Sequence, residues 1–273
     1  MDDLVRDKDG FVQLVPKCSN LYKRINYHSP AELVLNRIYE YDLRSANTSA
    51  LRASGTLKPA TLTALEELPK HDREVMIGKM IQKNPAIRDV IVWGVSKAKM
   101  KLFMANHVQS EEVQAIRNDA VCIIGRRLPR TQFGSFVFRE TVYSVYMVVE
   151  KIEFYYNRKS GVIDVKGIKD PVVQDPDHQK GILVFIRTVM DHLLMDRRDA
   201  LRRYLIQFSC DYKEKKLPVE YYKEFSRENI YRSLMDLNGW TFNRTAASEK
   251  DKPDLNGVYN YKRFVLPLIQ KYM

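Results

Sequence analysis

Ile38-Tyr39-Glu40-Tyr41-Asp42-Leu43-Arg44-Ser45-Ala46-Asn47-Thr48-Ser49-Ala50-Leu51 decides how this chain is read. A short apolar and aromatic run ends in one carboxylate, then small and polar residues, then a helix-like Ala-Leu-Arg. The pattern predicts a buried strand that delivers Asp42 at its C-terminal edge, a turn, and a helix. A carboxylate so placed either holds a metal ion, with backbone N–H groups after it facing a phosphate, or caps the following helix.

Val113-Gln114-Ala115-Ile116-Arg117-Asn118-Asp119-Ala120-Val121-Cys122-Ile123-Ile124 is the second deciding stretch. Asn-Asp between two β-prone runs reads as a hairpin turn, with Asp119 at its tip. A carboxylate on a strand end and another on a hairpin tip suit a two-metal phosphoryl-transfer site, whose ions stand roughly 3.5–4 Å apart.

The pair resembles the palm motifs of family B DNA polymerases. That family's first motif is Asp-x-x-Ser-Leu-Tyr-Pro-Ser. Asp42-Leu43-Arg44-Ser45-Ala46-Asn47-Thr48-Ser49 keeps the Asp and both Ser at their offsets. The family's hairpin motif, Asp-Thr-Asp-Ser, corresponds to Arg117-Asn118-Asp119-Ala120, which keeps the second Asp, the firm metal ligand there. Ile163-Asp164-Val165-Lys166-Gly167-Ile168 is similar to the Asp-x-Lys-Gly segment after the family's primer-contacting strand. The three matches occur in the family's order and cover about residues 36–225.

The resemblance implies an α+β fold: a polymerase palm with an antiparallel sheet, a helical fingers insertion and a helical thumb. It divides the chain into 1–52 (N-terminal segment and first palm motif), 53–109 (fingers-like helices), 110–178 (palm) and 179–273 (thumb-like helices and tail). The implied activity is template-directed nucleotidyl transfer, a DNA polymerase core extending a primer with two Mg²⁺ ions on Asp42 and Asp119. Leu43, Arg44, Ser45, Ala46 and Asn47 would approach the nucleoside triphosphate. The family's proofreading domain has no room in the first 35 or so residues, so it is absent or carried by a second chain. In the family a Tyr excludes the 2′-hydroxyl by bulk; here that position is Asn47, or else a neighbour such as Tyr41 supplies the bulk. Two rivals stand beside this reading: a ribonucleotide-using primase or RNA polymerase of the palm class, and a degenerate palm serving as a nucleic-acid-binding subunit. Arg117 in place of the first hairpin Asp favours the second rival, because it puts a cation next to the site.

Size and charge agree with a nucleic-acid partner without requiring one. The chain has 273 residues, 45% of them hydrophobic, and a net charge of +11. Such a balance fits a polyanion partner or a solvated basic surface. Arg117, Arg126, Arg127, Arg130 and Arg139 share their segment with one acid, Asp119. The 16 tyrosines suit base stacking and suit cores equally. No apolar run of about 18 residues exists, so no membrane span is expected. The charged start, Met-Asp-Asp-Leu-Val-Arg-Asp-Lys-Asp, does not read as a signal peptide. Cys18, Cys122 and Cys210 lack metal-ligand spacing, which points to a reducing, cytoplasmic setting without zinc. The compact layout resembles viral or plasmid replication proteins, hence a viral protein in a host cell.

Local signals fill in the rest. Pro59 opens a helix that Pro69 ends. His71–Asn84 and about Ala86–His107 read as two further helices, the second with the stripe Ile87, Val90, Ile91, Gly94, Ala98, Leu102. Gly94 and Ala98 predict close packing. Arg73, Lys79 and Lys83 either grip a triphosphate, as basic fingers residues do in the family, or form a solvated face. The family's Lys-x-x-x-Asn-Ser-x-Tyr-Gly pattern is poorly kept there. Val142–Val149 fits strand or helix. Lys151–Tyr156 and Val162–Lys166 read as a hairpin. By the resemblance, Lys151, Arg158, Lys159 and Lys166 would contact primer phosphates. From Gln179 onward basic amphipathic helices follow, and Lys216-Leu217-Pro218 looks like the family's thumb turn. No motif decides the role of residues 226–273.

Overall fold

The computed structural model describes residues 21–168, 174–222 and 260–273, together with the backbone of two short strands, β1 (Leu4–Arg6) and β2 (Val12–Leu14), which pair antiparallel. Gly239-Trp240 and Thr245 to Asp254 lie outside the described residues. The protein is a mixed α and β structure in which every recorded strand pairing is antiparallel. It forms two units: Met1–Ala31 with Arg37–Val142, and Glu32–Asn36 with Tyr143–Met273.

In the first unit the deciding stretch is the end of β4 (Leu33–Leu43). Two turn residues lead from it into α1 (Ala46–Ser54), which stops at Gly55 with φ 66°. Three helices follow: α2 (Pro59–Glu67), α3 (Lys70–Lys83) and α4 (Ala86–Ala105). Each begins after or at a proline, where the missing N–H is no loss. The chain then returns as β5 (Val113–Arg117) and β6 (Ala120–Ile124), joined by Asn118-Asp119. β6 lies between β5 and β4, and β3 (Asn26–His28) pairs with β5. β7 (Gln132–Phe133) pairs with the start of β8 (Phe136–Val149), a strand that continues into the second unit.

Strand alternation sorts the side chains. Tyr41, Leu43, Ile116, Val121 and Ile123 turn to one face and pack with Ala98, Leu102 and Phe103 of α4. A second cluster joins Leu51, Leu62, Leu65, Ile77, Ile87 and Ile91 across α1 to α4. Gly94 permits the closest approach: a Cβ there would stand 2.5 Å from that of Ala50. This holds α1, and hence the turn after Asp42, against α4.

In the second unit β8 pairs with β9 (Ile152–Asn157), and β9 with β10 (Val162–Lys166). Val142–Val149 is therefore strand, and cross-strand pairing decides what periodicity left open. The apolar face of β8 to β10 packs on α6 (Ile182–Leu194), α7 (Arg198–Lys213) and a C-terminal helix, α8 (Leu266–Tyr272); a short α5 (Pro176–Lys180) precedes them. Phe154 meets Phe264 edge-on, and Phe185 stacks on Phe208 at 4.2 Å between centroids.

Candidate functional site

Asp42 and Asp119 come together at one end of two adjacent interior strands of the sheet, β4 and β6. Asp42 pairs with Ala120 in the β4–β6 register, so Asp119 is one residue from its partner. The Leu43 amide donates to the Asp119 carbonyl at 3.2 Å, and the Arg44 amide to the Val137 carbonyl at 2.9 Å. Asn118 carries the turn's positive φ, 49°, a conformation that Asn tolerates better than most residues. Asp119 is partly buried, which raises its pKa above the ordinary carboxylate value; the nearby Asp42 charge adds to the rise, while Lys99 and Lys70 oppose it.

The helix cap is elsewhere. Ser45 is the N-cap of α1, in the left-handed region at φ 46° and ψ 50°, and makes no side-chain capping bond. Its carbonyl accepts the Ser49 amide at 2.9 Å, and the Ser49 hydroxyl donates to the Arg44 carbonyl at 2.9 Å. Asp42 is thus spared for another use. Its carboxylate accepts from Arg139 of β8 at 3.3 Å, with both groups partly exposed.

A cleft of about 880 Å³ opens over both carboxylates, and Leu43, Arg44, Ser45, Ala46 and Asn47 line it as a group. Arg73 of α3 lines it too. Lys79 and Lys83 do not; they are exposed, six and ten residues beyond Arg73 and so turned to other sides of α3. Lys70, one turn before Arg73, faces the cleft instead, as do Lys99 and Arg139. Lys70 had no signal beyond following a proline. Lys99 had one: it interrupts an apolar helical row of Val95, Leu102 and Phe103.

Lys99 is 1% exposed; burial lowers its pKa to about 8, against the pull of Asp119. Tyr41 is fully buried, donates to Glu140 at 3.2 Å and accepts the Leu128 amide at 2.7 Å, so it adds no bulk to the cleft. Arg117 is not among the cleft residues either. Its charge acts on His28, whose pKa burial and then Arg117 lower, and on Cys122.

The four cations expected on the second unit's hairpin fall into two pairs. Lys151 lies in the β8–β9 turn, where Glu150 and Lys151 have φ 48° and 69°, and Lys166 ends β10 beside it. Arg158 and Lys159 occupy the other end, in the β9–β10 loop organised by the Asn157 carboxamide, which accepts the Lys159 amide at 3.0 Å. About six residues of strand, or roughly 20 Å, separate the pairs. Arg158 lies 3.9 Å from the Asp191 carboxylate.

Among the described residues no cluster of three or more His, Cys, Asp or Glu could hold a metal ion, and no helix is long and apolar enough to cross a membrane. No curated protein matches the chain. Residues 17–273 match the family described as bacteriophage PBS1 gene 130 protein, and the chain belongs to this phage protein family.

Proposed function

We propose that this chain is the catalytic core of a template-directed nucleotidyltransferase, a DNA polymerase of the family B type. On this reading the first unit's sheet is the palm, α3 and α4 are the fingers, and α6 and α7 belong to a thumb. What carries the proposal is one observation: Asp42 and Asp119 are brought together at the ends of adjacent strands, under a cleft that also presents Lys70 and Arg73 of α3. Acid at the floor and base at the wall match a ligand with a metal-bound end and a polyphosphate.

The donor set fits Mg²⁺. Among the described residues no third His, Cys, Asp or Glu clusters with these two carboxylates closely enough to share a metal, although Glu74 also lines the cleft. Such a pair leaves coordination positions to water and substrate phosphates, the usual arrangement for this hard cation. When bound, a pair of such ions lowers the pKa of a primer 3′-hydroxyl and neutralises the leaving pyrophosphate. The chain's own part is to hold and orient. Asp42 and Asp119 offer fixed oxygens. The Leu43 and Arg44 amides are held by the Asp119 and Val137 carbonyls. The N–H groups for phosphate oxygens would therefore come from Ser45 to Asn47 at the start of α1, with the helix dipole behind them. Lys70 and Arg73 add positive charge for the triphosphate. Lys151, Arg158, Lys159 and Lys166 would meet backbone phosphates of the primer–template, positioning the duplex without reading its sequence.

A ribonucleotide-using enzyme is the second reading, favoured by Asn47 at the cleft wall with Tyr41 withdrawn into the core. Primer extension in Mg²⁺ tests both readings. Incorporation that Asp42→Asn and Asp119→Asn each remove supports the enzyme; template binding with no incorporation under any nucleotide condition leaves a binding subunit instead.

A further inference from the structure

Lys99 is the only lysine in the core among the described residues. A buried ammonium is costly unless its donors are satisfied. Here Nζ donates to the Arg24 carbonyl at 2.6 Å and to the Asn118 carbonyl at 3.0 Å. The same turn is held from a second point, because the Asn118 amide donates to the Ile25 carbonyl at 2.7 Å. These ties act on a two-residue turn whose first residue has positive φ. They hold Asp119 beside Asp42, although two carboxylates repel.

We infer that Lys99 is the positioning residue of Asp119: its ammonium ties the Asn118–Asp119 turn to Arg24 and to helix α4, and thereby sets where the Asp119 carboxylate stands relative to Asp42. The consequence for cation binding rests on the function proposed above; the tie itself does not.

Two readouts on the full chain test it. Hydrogen exchange of peptides covering 113–124 is compared between the unsubstituted protein and Lys99→Met. The turn amides should exchange at least about tenfold faster in the variant, with peptides of the second unit unchanged. Mn²⁺ binding, titrated with the metal alone, should weaken by about tenfold or more, as when groups supporting a metal ligand are lost. Removal of a nearby positive charge without any change of position would tighten Mn²⁺ binding, so the sign separates positioning from simple electrostatics. Unchanged exchange at the turn overturns the inference, and so does tighter or equal Mn²⁺ binding in the variant. Should the unsubstituted chain bind no Mn²⁺, the cation reading fails by itself and the exchange comparison still decides about Lys99. If Lys99→Met does not fold, Lys99→Gln takes its place with the same expected outcomes, because its neutral and shorter side chain loses the ammonium bonds to the Arg24 and Asn118 carbonyls. Loss of folding in both would assign Lys99 to the fold as a whole and overturn the inference.

Discussion

The Leu43 amide donates to the Asp119 carbonyl across 3.2 Å. That bond joins the residue after one candidate metal ligand to the other ligand's own backbone, just beyond the last Asp42–Ala120 pair of the ladder, so Asp42 and the Asp119 turn cannot slide past one another without breaking it. The carboxylates of Asp42 and Asp119, 77 positions apart in sequence, are thereby brought to the same end of two adjacent strands.

Asp42→Asn and Asp119→Asn should each lower nucleotide incorporation by more than about a hundredfold, since each removes a charged ligand from a two-metal site. Duplex binding should hardly change. Primer extension beside a gel-shift assay checks both halves. Full activity in either variant would end the two-metal assignment.

Asp119 should also leave a mark on stability. Its pKa is raised in the fold, chiefly by burial, so the native state holds its proton to higher pH than the unfolded chain does. Between the unfolded and folded values the native state binds more protons, and stability falls as pH rises through that window. Asp119→Asn lacks this loss. Without metal, the variant should gain stability over the unsubstituted chain as pH rises through the carboxylate range, and the difference should level off above it. Urea melts at a series of pH values measure this; a difference that shrinks with rising pH would contradict the assignment.

Binding to primed duplex should weaken with salt, with log K falling by about 0.9 per phosphate contact against log salt, and should show little sequence preference. The two cation pairs on the hairpin are far apart. Lys151→Glu with Lys166→Glu, and Arg158→Glu with Lys159→Glu, should therefore reduce the slope independently and nearly additively. A salt slope that ignores both double variants would remove this hairpin from the nucleic-acid surface.

Gly94 should not tolerate a side chain. Its added Cβ would meet Ala50 Cβ at 2.5 Å and Ala50 Cα at 2.8 Å. Gly94→Ala should cost about 1–3 kcal/mol, the usual penalty for overpacking. Ala50→Gly in the same chain should recover part of it. Thermal or urea unfolding gives the answer, and a neutral Gly94→Ala would show that α1 and α4 are not so closely packed.

Asn47 bears on sugar choice. An amide at the cleft wall is smaller than Tyr and can both donate to and accept from a 2′-hydroxyl. The chain should incorporate ribonucleotides readily, and Asn47→Tyr should shift preference toward deoxyribonucleotides. Competition between the two in single-turnover extension reads this directly. Strong deoxy selectivity that Asn47→Tyr leaves untouched would favour a plain DNA polymerase.

Much of the local structure was legible from residue order. The strand to Asp42, the turn at Asn118-Asp119, the helices bounded by Pro59, Pro69 and Pro85, and the hairpin around Asn157 to Gly161 all follow from period, prolines and turn chemistry, which act over a few residues. The close packing at Gly94 was legible too, because only a missing side chain lets two helices approach so near. Legibility failed where helical phase and distant neighbours decide. Arg73, Lys79 and Lys83 look alike in sequence, yet only Arg73 turns to the cleft. Arg117 looks like a cation beside the site, yet its charge is felt by His28 and Cys122.

By itself, then, the sequence determined that one carboxylate lies near a strand end and the other in a hairpin turn, and what local elements carry them, since those are short-range matters of sterics and hydrogen bonding. Only the tertiary structure decided that Asp42 stands beside Asp119, that Lys70 and Arg139 join them at the cleft, and that Lys99 lies buried beneath the turn. Those facts depend on strand register and on helix packing between residues far apart in the chain, where no local preference of the backbone reaches.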